Sequence, residues 1–207
     1  MIKQLIGVLL VGLISNTTFA GDPKYAASSI PEDLKTGMYA VIRGRDSKFY
    51  VESKGSSALH VRRVITILNS KAKQYALLTL GYDRFRKIES FKANVYDAGG
   101  NLLKKLKQTD ITDESSISGY SLFDDNRIKR ADLSQNTYPY TVEFEYIIRW
   151  QYLYSIPEFY LYRDDEVSTE KSSYSITYPK DLKPRYRLFK IEAPAIVAES
   201  DNRESLR

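Results

Sequence analysis

The sequence predicts an all-β protein, a β-sandwich of about nine or ten mainly antiparallel strands preceded by a short N-terminal helix. Three observations carry that prediction. The 207-residue chain holds 17 Tyr, 8 Phe and 1 Trp, and aromatic side chains suit a pleated, half-buried surface. From Val142 through Phe144, Tyr146, Ile148, Trp150 and Tyr152 to Tyr154 every second residue is apolar or aromatic. A period of two scatters such residues around a helix but aligns them along one face of a strand. Between the alternating runs stand turn-forming clusters such as Asp97-Ala98-Gly99-Gly100-Asn101, rich in residues that tolerate positive φ.

The N-terminus has a different character. Lys3 precedes an unbroken apolar run, Leu5 to Ile14, too short to cross a bilayer, and Thr18 and Ala20 place small residues before Gly21. Residues 1–20 are therefore expected to be a secretory signal peptide cleaved before Gly21. No later run is apolar for long enough to suggest a second span. The chain has no cysteine, which excludes disulfides, thiolate metal sites and a cysteine nucleophile. An exported domain without disulfides points to the periplasm or cell envelope of a Gram-negative bacterium. The net charge of +5 is spread over 31 basic and 26 acidic residues. The basic runs at Arg84–Lys87 and Lys104–Lys107 are broken by Phe85 and Leu106, so no nucleic-acid footprint is expected.

The elements follow in order. Residues 21–37 read as a leader in which Ser29 caps, and Pro31, Glu32 and Asp33 open, a short helix. Met38–Arg43 and Lys48–Glu52 read as strands joined by a hairpin turn at Gly44-Arg45-Asp46-Ser47. Ala58–Leu68, Lys73–Leu80 and Arg86–Tyr96 are further strands, and the chain reverses at Asp97–Asn101. Asp110–Asp132 is mostly polar and reads as a long surface connection. Thr141–Tyr154 is a strand long enough to bend or cross between sheets, and Ser173–Tyr178 and Arg185–Phe189 complete the set. The expected organisation is a signal peptide at 1–20, a leader at 21–37, one β-sandwich at 38–190 and a polar tail or linker at 191–207.

Chemistry-bearing residues are sparse. The lone histidine, His60, lies in an alternating strand, and no serine sits in a nucleophile-elbow pattern. Asp124-Asp125 and Asp164-Asp165-Glu166 are adjacent carboxylates, and neighbours in a strand point to opposite faces. They also lack the spacing of a calcium loop. Accordingly no catalytic residue, metal ligand or cofactor is assigned. The candidate ligand-binding residues are Trp150, Tyr152 and Tyr154, whose rings could stack on a sugar; core packing is the ordinary use of the same pattern.

The series Ala40-Val41-Ile42-Arg43, Val64-Ile65-Thr66-Ile67-Leu68-Asn69, Tyr82-Asp83 with Lys87-Ile88, Asp97-Ala98-Gly99-Gly100, Tyr138-Pro139 before Val142-Glu143-Phe144-Glu145-Tyr146, and Tyr178-Pro179 resembles domain-of-unknown-function family 3857. The likeness covers residues 38–190 and rests on order and spacing. It implies a β-sandwich of unassigned role that precedes a transglutaminase-like domain in Bacteroidetes envelope proteins. No Cys-His-Asp set for such a domain can be assembled from this chain. The expected function is that of an exported, non-catalytic module for protein or domain interaction, its partner a transglutaminase-like domain or another envelope protein. A carbohydrate-binding module using exposed aromatics and a hydrolase using the acidic loops are the alternatives.

Overall fold

The computed structural model describes residues 25–116, 125–160, 164–191, 194–200 and 202–207. The expected signal peptide lies outside them. Among the described residues there are twelve strands in two sheets, so the all-β prediction holds, with more strands than the sequence suggested.

The main sheet is built on β1 (Ala40–Ser53), β2 (Ser56–Ile67), β4 (Arg86–Tyr96) and β8 (Tyr140–Trp150). β5 (Leu102–Lys105) extends it past β4. On the other side come β10 (Ser172–Pro179), β12 (Arg203–Leu206) and finally β11 (Val197–Ser200). The order is β11-β12-β10-β1-β2-β8-β4-β5. β9 (Val167–Thr169) pairs alongside β1, and both β9 and β10 run parallel to it. A smaller sheet has the order β3-β7-β6, from β3 (Leu77–Tyr82), β7 (Arg127–Asp132) and β6 (Ile111–Ser115).

Alternation along β8 decides the layers. Val142, Phe144 and Ile148 are at most 2% exposed and share a core with Ile65, Ile67 and Val95 of the same sheet and with Leu78 and Leu80 of β3. A second cluster, Phe49, Val51, Ile176, Tyr178 and Leu206, lies beneath β1, β10 and β12. Its cover includes irregular chain at Leu153, Ile156 and Ala195 and a 3-10 turn at Leu182. Trp150 packs against both clusters. The small sheet thus covers one part of the main sheet, and loops cover the rest.

The leader is closed onto the sheet. Tyr25, Ala26, Ala27 and Ile30 are buried, and the hydroxyls of Thr66 and Thr141, buried opposite each other on β2 and β8, pair at 2.8 Å. Thr141 Oγ1 also donates to the Tyr25 carbonyl at 3.4 Å.

Several expectations need correction. The short helix reduces to 3-10 turns at Ala27–Ser29 and Glu32–Leu34, and Ser29 does not cap; its hydroxyl donates to the Ala26 carbonyl. Gly44–Ser47 is not a turn. β1 runs straight through it with a bulge between Ile42 and Gly44, and the hairpin falls at Lys54-Gly55. The bulge frees Arg43 from the ladder, and its guanidinium reaches Ser29 Oγ and Glu170 Oε2, both at 2.8 Å. The first half of Lys73–Leu80 belongs to a 3-10 segment, Ser70–Ala76, because Asn69 Oδ1 accepts from Lys71 N–H at 3.0 Å and Ala72 and Ala76 pack inward, and only the second half is strand, in β3. The surface connection at 110–132 carries β6 and β7, with residues 117–124 outside the described chain. Arg185–Phe189 is irregular, and the expected polar tail carries β11 and β12. β8 stays in one sheet and ends at Trp150, where Gln151 and Leu153 donate to the carbonyls of Phe85 and Lys54 instead.

Phe144→Ala empties a site that is 0% exposed and is expected to destabilise the fold by about 3–5 kcal/mol in urea unfolding. Tyr154→Ala, at a residue 92% exposed, should stay within about 0.5 kcal/mol of wild type.

Candidate functional site

The sequence candidates separate in space. Trp150 is a partly buried packing residue with its ring 6.0 Å from that of Phe49 and the Arg86 guanidinium 5.5 Å from its centroid. Tyr152 and Tyr154 lie beyond the end of β8, 39% and 92% exposed. The three therefore do not continue one strand face. His60 packs its ring 4.8 Å from Tyr50, opposite Lys48 and Ile147. Of the acidic clusters, Asp164 accepts from the Tyr75 hydroxyl, and that phenol is pushed up to about 12 by burial and then by the Asp164 bond. Asp165 and Asp125 are exposed, and Asp124 lies outside the described residues.

A further titratable constellation, centred on Glu143, has no counterpart among the sequence candidates. On the leader side of the sheet, Glu143 Oε1 accepts from Tyr25 Oη at 3.1 Å and from Arg62, while Oε2 accepts from Tyr96 Oη at 2.9 Å and Asn94 Nδ2 at 3.4 Å. The Tyr25 and Tyr96 rings stack at 4.3 Å. Burial raises the Glu143 pKa, but bonds from Tyr96 and Arg62 outweigh it and hold the carboxyl below its ordinary range. Burial first, then the Glu143 bond, pushes the Tyr96 phenol up. Every acceptor direction of the carboxylate is thus taken by the fold, and the group anchors the leader. A residue such as Glu143, alternating outward between Val142 and Phe144, reads in the sequence as a solvated face.

A cleft of about 500 Å³ opens beside the β4–β5 turn, lined by Asp97, Gly99, Leu103, Gln135, Pro139 and Tyr140 among others. Its carboxylate is committed to the turn, Asp97 Oδ1 accepting from Gly99 N–H at 2.9 Å and Asn101 N–H at 2.8 Å. No group of three or more His, Asp or Glu side chains is placed to hold a metal among the described residues. Nor is any helix there long and apolar enough to cross a membrane.

The last strand of the main sheet, β11, has every residue exposed. Ile196 exchanges both backbone bonds with Arg207, at 2.7 and 2.8 Å. Antiparallel ladders alternate bonded and non-bonded pairs, so the next pair, Val197 opposite Leu206, and the pair Glu199 opposite Glu204 are non-bonded. The amides and carbonyls of Val197 and Glu199 therefore face the open edge. Ile196 and Val197 are 68% and 51% exposed beside it, and Tyr186 and Phe189, in the connection leading there, are also exposed.

These features define an all-β module built on one large mixed sheet, whose β11 edge is paired with no further strand among the described residues. The family model for a Domain of Unknown Function with a solved structure, DUF3857, matches residues 53–207, and the chain belongs to that family. No curated protein matches the chain. Among solved structures it is similar to a presumed protease from Parabacteroides distasonis, with 13% identity, a TM-score of 0.67 and 81% of this chain aligned. The chain spans only 34% of that protein. An M1 zinc metallopeptidase from Deinococcus radiodurans overlaps 82% of this chain and 38% of its own, at 10% identity and a TM-score of 0.38. The first of these likenesses shows the fold.

The Glu143 anchor has a pH signature. Its folded pKa is lowered from 4.5, so the folded state binds this proton less readily than the unfolded chain. Its contribution is complete above that value and is lost as pH falls through the folded value. Urea unfolding of Glu143→Gln should show a shallower stability loss than wild type from about pH 5 to 3; identical acid limbs would remove Glu143 as a contributor.

Proposed function

We propose that this is an exported, non-catalytic interaction module of the periplasm or cell envelope whose C-terminal sheet edge receives a partner domain. The observation that carries the reading is the open edge at β11, where outward amides at Val197 and Glu199 adjoin exposed apolar side chains. An unpaired edge offers main-chain bonds for affinity, and flanking apolar side chains add specificity. The similar Parabacteroides structure supports the idea, since there the same fold is joined to a much longer chain. The preferred partner is a transglutaminase-like domain, in keeping with the family resemblance and with a chain that has one histidine and no cysteine of its own.

Calorimetric titration of the purified protein with an isolated transglutaminase-like domain encoded in the same genome tests this. Saturable binding is expected, weakened about tenfold or more by Val197→Pro, which removes one outward donor and leaves the β11–β12 bonds in place. Absence of binding, or binding indifferent to the proline, counts against the edge. Saturable sugar binding lost in Tyr154→Ala would install the carbohydrate reading instead. Glycoside or peptide cleavage lost in Asp165→Asn would end the non-catalytic one.

A further inference from the structure

The β1–β2 hairpin, the turn between β3 and β4 and the segment that follows β8 meet at one end of the main sheet. Ser57 of β2, Trp150 of β8 and Arg86 of β4 stand opposite one another in the last row there. Beyond that row three bonds tie the loops together. Gln151 N–H donates to the Phe85 carbonyl at 2.8 Å, Leu153 N–H to the Lys54 carbonyl at 3.1 Å and Ser57 Oγ to the Tyr152 carbonyl at 3.0 Å. The basic run Arg84–Lys87 and the tyrosines at 152 and 154, far apart in the sequence, are thereby brought to the same end of the molecule.

The rings at this end are largely outside the core. Phe85 is 44% exposed, Tyr152 39% and Tyr154 92%. Phe85 stands on a well-built turn, in which Asp83 Oδ1 accepts from the amides of Phe85 and Arg86, at 2.6 and 2.9 Å, and Asp83 N–H donates to the Arg86 carbonyl at 2.9 Å. Its exposure is therefore fixed by the local structure, and apolar rings held outward in a group mark a contact surface.

The charge around the rings is one-sided. Lys54, Arg84 and Lys87 are exposed and enter none of the ion pairs found among the described residues. The Arg84 guanidinium rests 4.5 Å from the Phe85 centroid. The carboxylates on the same stretches are already engaged: Glu52 and Glu89 both pair with Arg149, and Asp83 holds the turn. The three free cations stand on a hairpin, a turn and a strand, so they build no pocket for a single anion. They suit a plane of anions, on which each cation meets its own partner.

We infer that this end of the sheet docks on an anionic phospholipid surface, with Phe85 and Tyr154 entering the headgroup region and Lys54, Arg84 and Lys87 meeting lipid phosphates. Tyrosine rings favour the boundary between water and hydrocarbon, and the binding of a peripheral protein grows with buried apolar area and with each basic residue near the surface. A sugar fits less well, because a small ligand is oriented by fixed polar groups and the carboxylates here are turned to internal bonds. The docking end does not include β11, so it neither requires nor excludes a partner at that edge.

Co-sedimentation of the chain beginning at Gly21, which lacks the apolar run Leu5–Ile14 that would insert by itself, tests the docking. The vesicles are phosphatidylcholine alone and a mixture of phosphatidylcholine with phosphatidylglycerol. Saturable binding to the mixed vesicles that weakens as salt rises is expected. Lys54→Glu combined with Arg84→Glu should weaken it about tenfold or more, and Tyr154→Ala about threefold or more. The same charge reversal at Lys105 and Arg130, exposed on β5 and β7, should cost less than about threefold, since screening confines the attraction to about 8 Å. If the Lys54 and Arg84 double variant does not fold, Lys87→Gln takes its place, with a loss of about threefold expected. Absence of binding to the mixed vesicles, equal losses from the two charge reversals, or no loss in Tyr154→Ala or Lys87→Gln overturns the inference. Equal binding to a soluble acidic polysaccharide overturns it too, by showing a polyanion site in place of a lipid one.

Discussion

The pairing of β2 with β8 is the constraint on which the rest of the molecule depends. Its register is unbroken from Ser57 opposite Trp150 to Ile67 opposite Tyr140. Because side chains alternate, that register alone sends Ile65, Val142 and Phe144 into the core and sets Thr66, Thr141 and Glu143 on the other face. A slip by one residue would exchange the two sets, placing Glu143 among leucines and Phe144 under the leader. The buried Thr66–Thr141 pair and the tyrosines and arginine around Glu143 tie the outer face to the leader, while Leu78 and Leu80 of the small sheet close the inner one. The ladder is thus fixed from both sides by unlike chemistry, hydroxyl and carboxylate bonds on one face and apolar contact on the other.

The strands legible in the sequence are those with one covered and one open face. β2, β4, β8 and β10 show the alternation that half-burial demands, and the reversal at Asp97–Asn101 follows from its turn chemistry, with Gly100 at positive φ. β6 and β7 left no such trace. Most of their residues are exposed, with Tyr82 Oη donating to Asp113 at 2.8 Å and Arg127 pairing with the same carboxylate at 2.9 Å, and polar residues in a row read as loop. Gly44 illustrates the opposite error. Glycine beside Asp46 and Ser47 has turn composition, yet β2 and β10 flank that part of β1, and the local preference becomes a bulge. The strands β11 and β12 escaped notice because β12 is short and β11 fully exposed, with pairing to β10 supplying what pattern cannot.

The candidate residues were less legible than the fold. Trp150, Tyr152 and Tyr154 share a sequence period but not a surface, since the strand ends between the first and second of them. The charged groups that the fold buries or half-buries, Glu143 on one face of the sheet and Arg63 on the other, find their neighbours only through register. No spacing rule along the chain could have joined them. Inner-face arginine in an apolar strand is the one local sign. Arg63 stands two residues from both Val61 and Ile65, on the side that those residues bury.

The parallel pairing of β1 with β9 and β10 bears on how the chain reaches this state. β1 and β2 are neighbours joined by a tight hairpin, so one side of β1 is satisfied early and locally. Its other side waits for residues 167–179, across well over a hundred residues of intervening chain. Contacts so distant in sequence are slow to form. Until they do, a fourteen-residue strand presents a long open edge, together with Phe49 and Val51 lacking the cover of Ile176 and Tyr178. A chain interrupted before β10 would keep that edge and pair readily with another copy of itself. The last strands therefore act as a seal, and self-association of incomplete chains is the cost of a topology that closes last at the strand with which it begins.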